Sequence, residues 1–163
     1  MAPLLYIQDE FITRYQCKSI IDYYKSNLEY TFKNNLRLSR SCTYPLSLLN
    51  IYQENDLLKN TSDRIFDICK GFEKDLKLDN LEIVKWPVKS HMMPHKDNDT
   101  DILASILYLN DNYKGGQTGF ESVQVEPKIG RLMIFSNSYY LHRVKEVRGS
   151  PRYTFASWFI KHH

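Results

Sequence analysis

No stretch of this sequence stays apolar for the roughly 20 residues that a membrane-spanning helix needs. Nor does Met-Ala-Pro-Leu-Leu-Tyr at the start carry a basic region followed by an apolar run, so neither a secretion signal nor a membrane partner is expected, and the expected setting is cytoplasmic. Cysteine is scarce. Cys17, Cys42 and Cys69 are odd in number and far apart, and no Cys-x-x-Cys pair occurs. That excludes a disulfide framework and a thiolate zinc site, leaving three reduced, packed thiols. A strong charge of one sign is missing too: 22 basic against 19 acidic residues leave +3. With no basic run, a nucleic-acid partner is excluded. Internal repeats and low-complexity tracts are also absent.

What is present suits one compact unit. The 163 residues, 42% hydrophobic and 25% charged, can close a core unaided. The chain reads as a single domain, with 1–80 a helical support and 81–160 a strand-rich core. After a short strand at 4–7, Thr13-Arg14-Tyr15-Gln16 fits a capping box. Cys17, Ile20, Ile21, Tyr24 and Leu28 then recur at helical spacing. A second helix is expected from about Asp56 to Gly71, with Leu58, Ile65, Cys69 and Phe72 on one face. Residues 37–50, polar and Ser-rich with Pro45, read as irregular or edge-strand chain. From 81 onward, β-prone runs at 81–86, 101–110, 122–126, 131–136, 142–147 and 152–160 are punctuated by turn residues. No helix-length insert separates them, so a jelly-roll sandwich is expected rather than a parallel sheet, giving an α+β class.

The segment with the most chemistry is His91-Met92-Met93-Pro94-His95-Lys96-Asp97. On an extended strand alternate side chains share a face, so His95 and Asp97 point the same way. His142 is the internal histidine outside this segment and supplies a third ligand from a distant strand. Two histidines and a carboxylate on one face of an octahedron leave three sites open, the pattern of non-haem iron(II) oxygenases. Two other readings stand beside it. His91 and His95 are four apart, a zinc-pair spacing on a helix, although Pro94 disfavours a helix there. The histidines are otherwise ordinary packed or surface residues. Ten residues after His142, Arg152 opens the last strong strand. Its planar cation suits the far carboxylate of a dicarboxylate, unless it is a solvated surface charge. By parity Thr154, Ala156 and Trp158 share its face, offering a hydroxyl, space and an apolar wall.

The pieces His95-Lys96-Asp97, Ile106-Leu107-Tyr108-Leu109-Asn110, Gly115-Gly116-Gln117-Thr118-Gly119-Phe120, the run 127–135, His142-Arg143-Val144 and Arg152 to Trp158 occur in this order. Together they resemble the core of the prolyl 4-hydroxylase-like branch of the Fe(II)/2-oxoglutarate-dependent dioxygenases. The resemblance implies a double-stranded β-helix with N-terminal helices packed on one sheet and iron held by His95, Asp97 and His142. It implies 2-oxoglutarate held by Arg152, Tyr108 and Thr154, with ascorbate as a reductant. It further implies hydroxylation of a prolyl residue in peptide or protein, using O2 and releasing succinate and CO2. A free amino acid or other small metabolite is the alternative substrate, and a jelly-roll binding module without catalysis the alternative outside enzymes. The sequence departs from the family at Trp86 and Met92, where tyrosine is common, at Pro87, and at Gln117 in place of glutamate. Arg37 to Ser41 resembles a substrate-covering strand and loop; a solvated loop is the other reading. His162 and His163 are assigned no function.

Overall fold

The computed structural model describes residues 4–36, 38–97, 100–137 and 141–162. Arg37 and His163 therefore lie outside the described residues.

Two helices form where capping chemistry and apolar periodicity agree. Thr13 Oγ1 accepts from the Gln16 amide at 3.1 Å and Gln16 Oε1 accepts from the Thr13 amide at 2.9 Å, starting α1 (Arg14–Lys25) with the expected capping box. The helix buries Cys17, Ile20 and Tyr24 but ends before Leu28, which opens a short 3-10 turn and stays exposed. Asn55 Oδ1 accepts from the Leu58 amide at 3.0 Å and caps α2 (Asp56–Phe72). Leu58, Ile65 and Cys69 are buried, whereas Phe72 is half-exposed against Tyr6.

The strands in chain order are β1 (Leu5–Gln8), β2 (Asn34–Leu36), β3 (Ser41–Ser47), β4 (Leu76–Trp86), β5 (Met92–His95), β6 (Asp101–Tyr108), β7 (Lys114–Gly115), β8 (Thr118–Gly119), β9 (Gln124–Val125), β10 (Leu132–Ser136), β11 (His142–Val144), β12 (Val147–Arg148) and β13 (Arg152–Lys161). Seven build one antiparallel sheet in the order β1-β10-β6-β13-β4-β3-β2. A second sheet has the order β5-β11-β8-β9, and β12 pairs with β7. The stretch expected to be irregular or an edge is ordered into β3, which pairs with β4, while β2 takes the edge beyond it. The first core strand starts at Leu76 rather than 81, because ten residues of β13 are there to pair with it. The run at 122–126 keeps two strand residues, since the Phe120 amide bonds the Val123 carbonyl and turns the chain.

Side-chain alternation divides the main sheet. Leu81, Ile83, Leu103, Leu107, Phe155 and Phe159 form one core with Cys17, Ile20 and Tyr24 of α1 and Leu58, Ile65 and Cys69 of α2. The other face packs on the second sheet: Ala104, Met133 and Phe135 meet Phe120 and Val125, and Val84 and Ala156 meet Val144. Helices cover one face of a two-sheet sandwich, so the architecture is an α+β jelly roll. Both faces of β6, β10 and β13 are buried, which explains their almost continuous apolar sequences.

Candidate metal and co-substrate site

The pairing of β5 with β11 sets His95 directly opposite His142, with ring centroids 4.2 Å apart. Asp97 lies two residues past the end of β5, so the parity that relates it to His95 carries just beyond the strand. Its Oδ1 is 3.0 Å from His95 Nε2 and 3.5 Å from His142 Nε2. One ligand atom from each of the three residues lies within 4.8 Å of the others, an arrangement able to hold a metal ion. Trp158 Nε1 donates to Asp97 Oδ2 at 2.9 Å, which leaves Oδ1 turned to the histidines. His95 Nδ1 is 3.0 Å from the Met93 carbonyl, an acceptor that holds the Nδ1 proton and leaves Nε2 facing the cluster.

The charges support the same arrangement. Burial raises the Asp97 carboxyl, but hydrogen bonds from His142 and His95 outweigh it and hold the group well below the usual carboxylate range. Burial lowers His95, and hydrogen bonds to Asp97 and the Met93 carbonyl more than reverse that, lifting it above 6.5. His91 is not in the cluster; its Nδ1 lies 3.4 Å from the Lys89 carbonyl. A helical zinc pair is excluded because His95 closes a β-strand.

Arg152 is not a surface charge. It is fully buried (0% exposed), between the rings of Trp86 and Tyr108, with its guanidinium carbon 4.8 and 5.3 Å from their centroids. One nitrogen reaches Thr118 Oγ1 at 3.3 Å, while Nε and Nη1 have no hydrogen-bond partner among the described residues. A buried cation with two donors left open is costly in the folded chain alone, and fits a planar carboxylate. The Tyr108 hydroxyl lies 2.6 Å from Thr118 Oγ1, and Thr154 sits directly across from Tyr108. The Gly115-Gly116 turn permits this packing: Gly116 has φ +69°, and a Cβ there would lie 2.8 Å from the Tyr113 ring and 3.2 Å from Arg152 Cδ. The Tyr113 hydroxyl is buried beside Arg152; burial drives its pKa up, with the nearby Arg152 opposing.

The histidines, Asp97, Arg152, Thr154, Ala156 and Trp158 line one cavity of about 550 Å³, within the range of small-molecule sites. Residues 81–160 match the family model described as the 2OG-Fe(II) oxygenase superfamily. This catalytic half of the chain belongs to that superfamily. It is an oxygenase, and the family implies iron(II) and 2-oxoglutarate, which the His/Asp/His cluster and the buried guanidinium fit in donor type. The reading as a non-catalytic module falls with that assignment.

No curated protein matches the oxygenase in sequence. Among solved structures, a viral collagen prolyl hydroxylase from Paramecium bursaria Chlorella virus-1, in complex with 2-oxoglutarate, superposes with a TM-score of 0.74 at 14% identity over 98% of this chain and 96% of that one. A prolyl hydroxylase from Trichoplax adhaerens, bound to a peptide fragment of a hypoxia-inducible factor, gives 0.74 at 19% identity over 96% and 83%. A prolyl-4-hydroxylase from Pseudomonas putida gives 0.66 at 17% over 98% and 93%. At these identities the likeness is one of fold, and the oxygenase shares the prolyl hydroxylase architecture.

The tertiary structure places His95, Asp97, His142, Arg152 and Thr154 on one cavity wall, while Tyr108 stands outside that lining with its ring beside Arg152. Two further roles were not read there. Trp158, expected as an apolar wall, also uses its indole N–H to restrain Asp97. Thr118, within the Gly-Gly-Gln-Thr turn, bonds both Arg152 and the Tyr108 hydroxyl; the turn motif marked its place but not its partners. Lys85 is on the face opposite Trp86 by strand parity and lies outside the cavity lining.

Proposed function

We propose that this oxygenase hydroxylates a prolyl residue in a peptide or protein, consuming 2-oxoglutarate and O2 and releasing succinate and CO2. The observation that carries the reading is the convergence of His95, Asp97 and His142 with the unpaired fork of Arg152 in one cavity. His95, Asp97 and His142 would hold iron(II), which supplies the redox capacity for coupling decarboxylation to C–H oxidation. Arg152 would pair with the far carboxylate of 2-oxoglutarate, with Tyr108, Thr118 and Thr154 adding hydroxyls. Trp158 keeps Asp97 turned inward. Phe135 and Val144 form apolar wall, which lowers the local dielectric and strengthens these charged contacts.

A peptide substrate finds support at the mouth of the cavity. Ser39 Oγ accepts from the Met93 amide and Ser41 Oγ from the His91 amide, both at 3.0 Å. These bonds hold the segment expected to cover substrate against the strand that ends in His95, and Leu36 and Leu38 line the cavity beside it. A free amino acid would need less of this rim. The test is incubation with iron(II), 2-oxoglutarate and a panel of proline-rich peptides, free proline and other amino acids, following succinate and product mass together. Succinate coupled to gain of one oxygen on a prolyl peptide is expected. Coupling to a non-proline substrate alone would reject the prolyl assignment.

A further inference from the structure

Among the described residues, the carboxylate on the cavity wall besides Asp97 belongs to Glu82. It sits on β4 opposite Ala156 of β13, on the inward face with Val84 and Trp86. Cβ atoms of directly opposed residues lie about 4.5–5.5 Å apart, so Glu82 stands one strand aside from the row that runs from Arg152 to Trp158. Ala156 carries only a methyl group and leaves the carboxylate open to the cavity. Among the described residues no cation forms an ion pair with Glu82. Burial pushes its carboxyl above the usual range, with the Asn80 side chain partly offsetting this. Its neighbours on the same inward face, Val84 and Trp86, are buried apolar residues, and the fold alone would be served better by an apolar or neutral side chain here.

We propose that Glu82 is a substrate-recognition residue that takes up a positive charge on the substrate, so that the reacting carbon lies near an ammonium or guanidinium group. The shared chemistry has two sources: a lysine or arginine beside the target in a peptide, or the α-ammonium of an amino acid or peptide terminus. The protein's own net charge of +3 gives no long-range attraction for such a substrate, so discrimination falls to this one local carboxylate. The inference rests on the oxygenase reading above for where substrate lies.

Both tryptophans, Trp86 and Trp158, line the cavity, so their fluorescence reports binding directly. Iron(II)- and 2-oxoglutarate-loaded protein is titrated without oxygen against two matched pairs: proline peptides with lysine or acetyl-lysine next to proline, and free proline or N-acetylproline. The cationic member of one pair should bind at least about tenfold more tightly than its neutralised partner, and that pair names the source. Glu82→Gln should erase the ratio without weakening the neutralised ligand, and Glu82→Asp should restore part of it. A native ratio near one in both pairs, or a ratio that survives in Glu82→Gln, overturns the proposal. The native ratio alone decides if the variant does not fold. Succinate formed by the same native samples in oxygen separates the two levels: its presence with no charge preference sinks only the role of Glu82, and its absence sinks the oxygenase reading as well.

Discussion

Trp158 and Asp97 are 61 residues apart in sequence, yet the indole N–H donates to the carboxylate at 2.9 Å. The bond occupies the oxygen that faces away from the histidines and fixes the rotation of the group between them. Partners of this kind typically contribute 10–100-fold to metal affinity. Trp158→Phe keeps an aromatic ring and loses the donor, so metal affinity should fall by about tenfold. Competition against a chromophoric chelator measures it; an unchanged affinity would remove Trp158 from the site.

Arg152→Ala should weaken 2-oxoglutarate binding by about 2–5 kcal/mol while leaving metal affinity nearly intact, because the guanidinium does not touch the triad. Tyr108→Phe should cost less, about 1 kcal/mol, since a neutral hydroxyl is lost. Calorimetric titration of metal-loaded protein with 2-oxoglutarate distinguishes them. Equal affinity in the arginine variant would move the anchor elsewhere.

Gly116→Ala tests the same anchor through the backbone. The positive φ and the approach to the Tyr113 ring and Arg152 Cδ leave no room for a Cβ. Loss of about 1–2 kcal/mol of stability is expected, together with weaker 2-oxoglutarate binding as the guanidinium shifts. Chemical denaturation and the same calorimetry provide both readouts.

The metal-free protein and its metal complex should respond to pH in opposite directions. His95 titrates above 6.5 in the fold, held there by Asp97 and the Met93 carbonyl against its burial. Its contribution to stability is complete below the unfolded pKa and is lost as pH rises through the raised folded value. The depressed Asp97 contributes above its unfolded value of 3.8 and loses that contribution only as pH falls through its low folded value. Metal must displace the His95 proton, so metal affinity should rise over the range in which metal-free stability declines. Thermal melts of the metal-free protein and chelator competition across that range should show the two trends; parallel trends would contradict the assignment of His95.

Zinc should occupy the His/Asp/His cluster and protect the fold against melting, but give no succinate, because it has no accessible redox change. Succinate from rigorously iron-free, zinc-loaded protein would overturn the redox role of the site.

The candidate ligands and the arginine could be singled out because strand parity and residue type are local properties. His95 and Asp97 are two residues apart, and Arg152 opens a run whose alternate residues share a face. Capping chemistry likewise placed the start of α1 at Thr13, where donors and acceptors three residues apart close on one another. The end of α1 and the order of residues 37–50 were less legible. Leu28 continues the apolar spacing of the helix yet is exposed, and Ser41–Ser47 becomes a strand through pairing with β4.

By itself, then, the sequence determined which residue types were available for metal and dicarboxylate, and on which face of each strand they stood. Only the tertiary structure decided that His142 lies opposite His95, that Trp158 holds Asp97, that Thr118 joins Arg152 to Tyr108, and that Glu82 shares their cavity. Each of these relations joins strands distant in the chain. Sheet order and register set them, and both depend on how the two sheets and the helices bury their apolar faces together.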